Sequence, residues 1–260
     1  MVEFVWYQYI FVVIAGFAAG YINTLAGSGS LITLGLLTFL GVPATIANGS
    51  NRVGVIMQGI SSTVSFARQD VMDWRGGLML AAPATVGSLV GAVIAADLND
   101  AVMDRVIGGV MVLMLGVILF RPKRWLEGTK LEFTERPSLA QIVIFFLIGI
   151  YGGFIQAGVG IFLLSGLVLG AGYNLVRANA VKTLIVLVFT IFALFVFIAN
   201  GQVDWLIGIA LAIGNAAGGW FAARMAVERG AKFVRFVLIA VVILSALNLL
   251  GILEWIFGLF

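Results

Sequence analysis

The chain has 260 residues, 62% of them hydrophobic and 10% charged, with a mean hydropathy of +1.14 and a net charge of +3. Soluble domains carry roughly 25% charged residues, so this composition excludes an ordinary soluble fold and predicts an all-α polytopic protein whose solvent is the lipid bilayer. Cysteine and histidine are both absent, which excludes disulfides, thiolate nucleophiles, imidazole bases and the usual transition-metal ligands; no catalytic residue, metal or cofactor is expected, and an enzyme is disfavoured.

The first predicted segment, 4–26, lacks a basic start and a small-residue cleavage signal and reads as a retained helix. It runs into Asn23-Thr-Leu-Ala-Gly-Ser-Gly-Ser30, a stretch of small and hydroxyl-bearing residues. Irregular backbone at membrane depth is tolerated only where protein or a water-filled cavity covers it. The next segment, 31–40, is too short to cross a hydrocarbon core of roughly 30 Å at about 1.5 Å per residue. The two together are expected to form a re-entrant or broken helix hairpin. Segment 46–67 places Asn48, Asn51, Val55, Gln58, Ser62 and Ser65 on one helical face, with Arg52 beside them. Segment 75–96 follows Asp73-Trp74, read as a helix cap and an interfacial anchor. Segment 101–120 completes the first half, and residues 121–137, with five basic and three acidic positions and two prolines, read as a linker. Segments 139–157, 159–170, 178–199, 204–225 and 233–252 then repeat the order.

The halves are related by a duplication at an offset of 131 residues. Gly27-x-Gly29 recurs as Gly158-x-Gly160, Ala47-Asn48 as Ala178-Asn179, Phe66 as Phe197, Asp73-Trp74 as Asp204-Trp205, and Gly87 as Gly218. Gly16 and Gly20 match Gly149 and Gly153 at an offset two residues longer. A hairpin plus three spans crosses an odd number of times, so the second copy is expected upside down. The predicted architecture is an inverted-topology internal repeat: residues 1–120 the first repeat, 121–137 a cytoplasmic linker, and 138–260 the second repeat. With both termini outside, the loops at 68–75, 121–136, around Arg177 and at 224–235 lie in the cytoplasm and hold twelve of the fifteen Lys and Arg residues. This positive-inside bias explains the basic pI as topology, so no nucleic-acid partner is expected.

Two clusters of residues are candidates for binding a small anion. In the first repeat they are Asn23, Gly27, Ser28, Gly29 and Ser30 at the turn, and Asn48, Asn51, Arg52 and Gln58 on the polar stripe. In the second they are Gln156, Gly158, Gly160, Asn179 and Lys182. Helix amino termini opening at the two turns attract anions, and charges inside spans are rare and usually functional. The alternatives are glycines that only let helices pack closely and an Arg52 that snorkels to the interface. Inversion places one cation toward each mouth. The counterparts of Gln58, Ser62 and Ser65 are Phe189, Ala193 and Val196, so the stripe is expected to stop in the second repeat. No Asp or Glu falls mid-span, so no carboxylate proton relay is visible.

The order Gly16-x-x-x-Gly20, Gly27-Ser-Gly-Ser, Gly41-Val-Pro43, Ala47-Asn48-Gly-Ser and Val71-Met-Asp-Trp74, repeated in weaker form, resembles the sulfite exporter TauE/SafE family. The turns at Gly27 to Ser30 and Gly158 to Gly160 match that family's hallmark. The resemblance covers nearly the whole chain and implies a multi-pass transporter of a bacterial or archaeal cytoplasmic membrane that exports sulfite, sulfoacetate or another organosulfonate. A passive anion channel and a non-transporting membrane subunit are the alternatives. Beyond the anionic substrate and the bilayer, a homodimer is the one partnership considered, since lipid-facing and partner-facing apolar surface look alike in sequence.

Overall fold

The computed structural model describes residues 4–107, 109 and 137–249. These residues form helices α1 (Trp6–Leu25), α2 (Ser30–Phe39), α3 (Ala44–Ala67), α4 (Trp74–Ala96), α5 (residues 100–107), α6 (Leu139–Phe154), α7 (Val159–Ser165, continued by a π-helical turn Gly166–Gly170), α8 (Leu175–Ala199) and α9 (Trp205–Leu249). Most of segment 101–120, all but the last residue of the linker 121–137, and the end of segment 233–252 lie outside the described residues. Among the described residues four stretches are long and apolar enough to cross a membrane: α1, α4, α8 and Trp205–Val234. With 24 residues α3 is equally long, but it carries the polar stripe and buries it in protein.

One boundary differs from the sequence reading. The expected loop at 226–232 is helical, and α9 breaks only at Gly230, whose φ of 70° is left-handed. Val227, Glu228 and Arg229 are compatible with helix, so a single residue free of a Cβ suffices for the bend. Elsewhere the caps explain the limits. Ser138 accepts from the Gln141 amide while the Gln141 side chain accepts from the Ser138 amide, a reciprocal cap that starts α6. Asn174 accepts from the amides of Val176 and Arg177 and starts α8 three residues earlier than apolar periodicity suggests.

Helix α1 packs chiefly on α9 and α6 on α4, in both cases by glycine contact; α3 lies on α9 and α8 on α4, and α3 crosses α8. Gly87 sits against the backbone of Phe146 and Ile150, and Gly218 against that of Phe17 and Tyr21. Small residues let membrane helices approach this closely, where van der Waals contact replaces the missing hydrophobic drive. Around these pairs the buried apolar residues form two clusters. One contains Phe66, Leu80, Tyr173, Ala178, Ala223 and Ala226. The other contains Phe197, Leu211, Val42, Ala47, Ala92 and Ala95, the residues 131 positions away from each of these. The members of these six pairs therefore lie in different clusters, whereas Val55 and Val186, also 131 positions apart, share the first.

Tyr173, in the loop before α8, donates its hydroxyl to Asp73 Oδ2 at 2.7 Å, while Asp73 Oδ1 caps α4 through the Gly76 amide at 2.9 Å. Burial first, and then this bond, holds the phenol well above its ordinary range. The folded phenol therefore resists ionisation, and its stabilisation is complete below the unfolded value of about 10 and lost above it. Tyr173→Phe is expected to cost about 1 kcal/mol and to blunt the alkaline loss of stability above about pH 10, as read by thermal melting in detergent.

Candidate functional site

Both short helices turn back along the helix before them. At the first turn Gly27 takes φ 82°, and Gly29 opens α2 so close to α1 that an added Cβ would overlap the Ala19 carbonyl. At the second, Gln156 and Gly158 take φ 60° and 75°, and Val159 opens α7 against Gly152. The two turns meet, with the Gly160 amide donating to the Gly27 carbonyl at 3.2 Å. A Cβ on either glycine would overlap the other's Cα. The two turns are thus joined through their backbones.

The polar stripe of α3 closes on the first turn. Gln58 Oε1 accepts from Asn23 Nδ2 at 3.0 Å, and Gln58 Nε2 donates to Thr24 Oγ1 at 2.9 Å and to Ser62 Oγ at 3.3 Å. Asn51 Oδ1 accepts from Thr33 at 2.6 Å, which ties α3 to α2. In the second repeat Gln156 Nε2 donates to Thr190 Oγ1 at 2.7 Å. The expected end of the stripe on α8 is corrected by this bond: Asn179, Thr183, Val186 and Thr190 share a buried face. Their i, i+4, i+7, i+11 spacing carried the signal, hidden by comparing only positions aligned with Gln58, Ser62 and Ser65. Thr24, Thr33, Thr183 and Thr190 are the polar residues here that sequence reasoning missed.

Arg52 and Lys182 are fully buried, with 0% and 1% exposure, and Arg52 does not snorkel. Each serves the broken end of a helix in the opposite half. Arg52 donates to the carbonyls of Gly152 at 3.3 Å and Gly153 at 2.5 Å, its guanidinium 4.3 Å from the centre of the Phe197 ring. Asn48 Nδ2 covers the last carbonyl of α6, Phe154, at 2.9 Å. Lys182 donates to the carbonyls of Asn23 at 2.9 Å and Thr24 at 2.7 Å, and to Asn179 Oδ1 at 2.6 Å. Each cation is held by main-chain oxygens at a helix end, because helix-end carbonyls buried in protein need donors. Among the described residues neither has a carboxylate partner; the ion pair there, Arg224–Glu228, is exposed.

Two basic side chains face two helix carboxyl ends of about half a negative charge each, and among the described residues the junction supplies neither with a carboxylate. It also keeps free hydrogen-bonding capacity. Ser28 Oγ, Ser30 Oγ, Asn48 Oδ1, Asn51 Nδ2, Gln156 Oε1 and Asn179 Nδ2 are buried with no partner in the protein. Such atoms are costly unless water or a ligand meets them. Asn23, Gln58, Gly160, Lys182 and Thr183 line a cavity of about 10 Å³, room for about one water.

Asp73 and Asp204 sit outside this junction as caps, Asp204 accepting from the amides of Leu206 and Ile207 at 3.0 and 3.1 Å. Trp74 and Trp205 are each about half exposed, as interfacial anchors are. Asparagine caps as well as aspartate, whereas alanine costs about 1 kcal/mol. Asp204→Asn is expected to keep flux near wild type and Asp204→Ala to lower thermal stability, so a flux loss in the asparagine variant would show a role for the charge.

The chain is similar to proteins named as membrane transporters. The chain is 27% identical over 241 residues to the "Probable membrane transporter protein ORF9" of Sinorhizobium sp, covering 93% of this chain and 92% of that one. It is 27% identical to the "Probable membrane transporter protein YfcA" of Escherichia coli K12, over 89% of this chain and 86% of the relative. It is 24% identical to the "Probable membrane transporter protein YunE" of Bacillus subtilis 168, over 96% and 100%. No solved structure matches it significantly. The family model described as "Sulfite exporter TauE/SafE" matches residues 12–249, and the chain belongs to this family of membrane transporters.

Proposed function

We propose that the protein is a secondary transporter that exports a small sulfur-containing anion, such as sulfite, sulfoacetate or another organosulfonate, across the cytoplasmic membrane of a bacterium or archaeon. The family supplies the sulfur. The observation that carries the anion is the burial of two basic side chains, Arg52 and Lys182, at the two broken helix ends with no carboxylate partner among the described residues, together with buried donors without partners. Ser28, Ser30, Asn51 and Asn179 offer hydroxyl and amide donors to an oxyanion, Asn23, Gln58 and Gln156 shape the cavity, and Gly27, Gly29, Gly158 and Gly160 let the backbones close around it. An inside-negative potential contributes about 2.3 kcal/mol per charge per 100 mV to anion exit, which is sufficient without a coupled ion.

The repeats supply the motion. Residues 1–120 and 138–260, joined by 121–137, are read as inverted halves with both termini outside. The placing of 131-offset pairs such as Phe66 and Phe197 in opposite apolar clusters supports this, as does the exchange of cations between helix ends. Rocking of one half against the other opens the junction alternately to each side. A cavity with room for about one water supports an occluded transporter over an open channel. The test is uptake of labelled sulfite into inside-out proteoliposomes of the purified protein, with sulfate and a small organosulfonate as competitors. Saturable uptake that accelerates when the lumen is made positive is expected; no flux of any sulfur anion by folded protein would overturn the reading.

A further inference from the structure

The Lys182 ammonium sits in a cage of three oxygens: the Asn23 and Thr24 carbonyls at the end of α1, and Asn179 Oδ1, at 2.6 to 2.9 Å. Three acceptors match the three N–H bonds of an ammonium, which is the geometry of a held cation. Carbonyls at the broken end of a helix, with a side-chain oxygen from the facing helix, are the donor set by which discontinuous transporter helices hold a coupling sodium ion. We propose that this cage is a monovalent-cation site and that Lys182 is a tethered cation filling it permanently. The wild-type protein accordingly needs no sodium.

The other buried cation shows the contrast. Arg52 spreads a planar guanidinium over two carbonyls and a phenylalanine ring, while Asn48 takes the third carbonyl. That arrangement has no single point of positive charge that a small ion replaces. At Lys182 a point charge meets converging oxygens, and a cavity lined by Gln58 and Thr183 lies beside it. Shortening the side chain removes the stem as well as the charge and leaves space for an ion with a water. Calcium, an ion of nearly the same size as sodium, binds oxygen at about 2.3–2.6 Å, so the cage must contract by a few tenths of an ångström or complete the shell with that water.

Lys182→Ala is the test, made on the full chain purified and reconstituted in sodium, lithium, potassium or choline chloride. The expected result is a gain of sodium dependence: millimolar sodium or lithium, but not choline, raises the melting temperature of the variant and restores at least tenfold of its lost sulfite flux. Wild-type melting and flux are expected to be equal in sodium and choline. Lys182→Met, which refills the space without charge, is expected to show neither sodium response. The melting experiment uses no substrate, so its outcome is independent of which anion is carried. Equal melting of Lys182→Ala in all four salts, failure of that variant to fold in sodium as in choline, a sodium response in Lys182→Met, or sodium dependence of the wild type would each overturn the proposal.

Discussion

Replacing Gly160 by alanine is expected to abolish flux and to destabilise the protein by about 3 kcal/mol or more. The added methyl meets the Cα and carbonyl of Gly27 rather than a side chain, and backbone has no alternative rotamer. Overpacking in an ordinary core costs about 1–3 kcal/mol because side chains can yield; here the cost is at the upper end or beyond. The same methyl breaks the Gly160–Gly27 hydrogen bond through which the two turns touch. Gly27→Ala adds the strain of an L-residue at φ 82°. Gly41 is the control: it has φ 82° too, but an added Cβ meets nothing within 4 Å, so Gly41→Ala is expected to show backbone strain alone. Thermal melting and sulfite flux measured on the three variants separate contact from conformation. Equal losses at Gly160 and Gly41 would show that the meeting of the turns matters little.

Arg52→Met carries the second large effect. It exposes the Gly152 and Gly153 carbonyls to an interior with no donor, and each unsatisfied acceptor costs about 1–3 kcal/mol. Removing the charge also relieves a desolvation cost, so a net loss of about 2 kcal/mol is expected. Flux is expected to fall at least about tenfold, equivalent to ~1.4 kcal/mol of lost anion affinity. Arg52→Lys keeps the charge but cannot reach both carbonyls in one fork. It should therefore recover flux more fully than stability. If the methionine variant transports normally, the charge at the end of α6 serves packing only.

Much of this was legible in the sequence because hydropathy and small residues report what the bilayer demands. Composition required helices, and the charge-free runs gave α1 to α4 and α6 to α8 to within a few residues. The shortness of segment 31–40 gave the hairpin. The repeated glycines gave the turns, since a backbone that close to another tolerates no Cβ. What escaped was of another kind. The run from Trp205 through Arg229 hides no loop, because its charged residues are helix-compatible and only Gly230 bends the chain. Thr190 looked apolar in context, since a threonine contributes little polarity to a leucine- and phenylalanine-rich helix, yet it holds Gln156. The work of Arg52 and Lys182 was illegible for a deeper reason. Their partners are main-chain carbonyls, which every residue has, and only the fold decides which helix ends are left needing donors.

The central claim is that the transported anion passes through the junction of the two broken helices. The chain has no cysteine, so Ser28→Cys places a single thiol at a buried hydroxyl without a partner, and Asn200→Cys places one on an exposed loop as control. Sulfite flux is measured on each variant in proteoliposomes before and after alkylation with N-ethylmaleimide, excess reagent removed and the adduct verified by mass. Loss of flux on alkylation at position 28, with none at position 200, is the predicted result; undiminished flux through protein alkylated at position 28 would contradict the account.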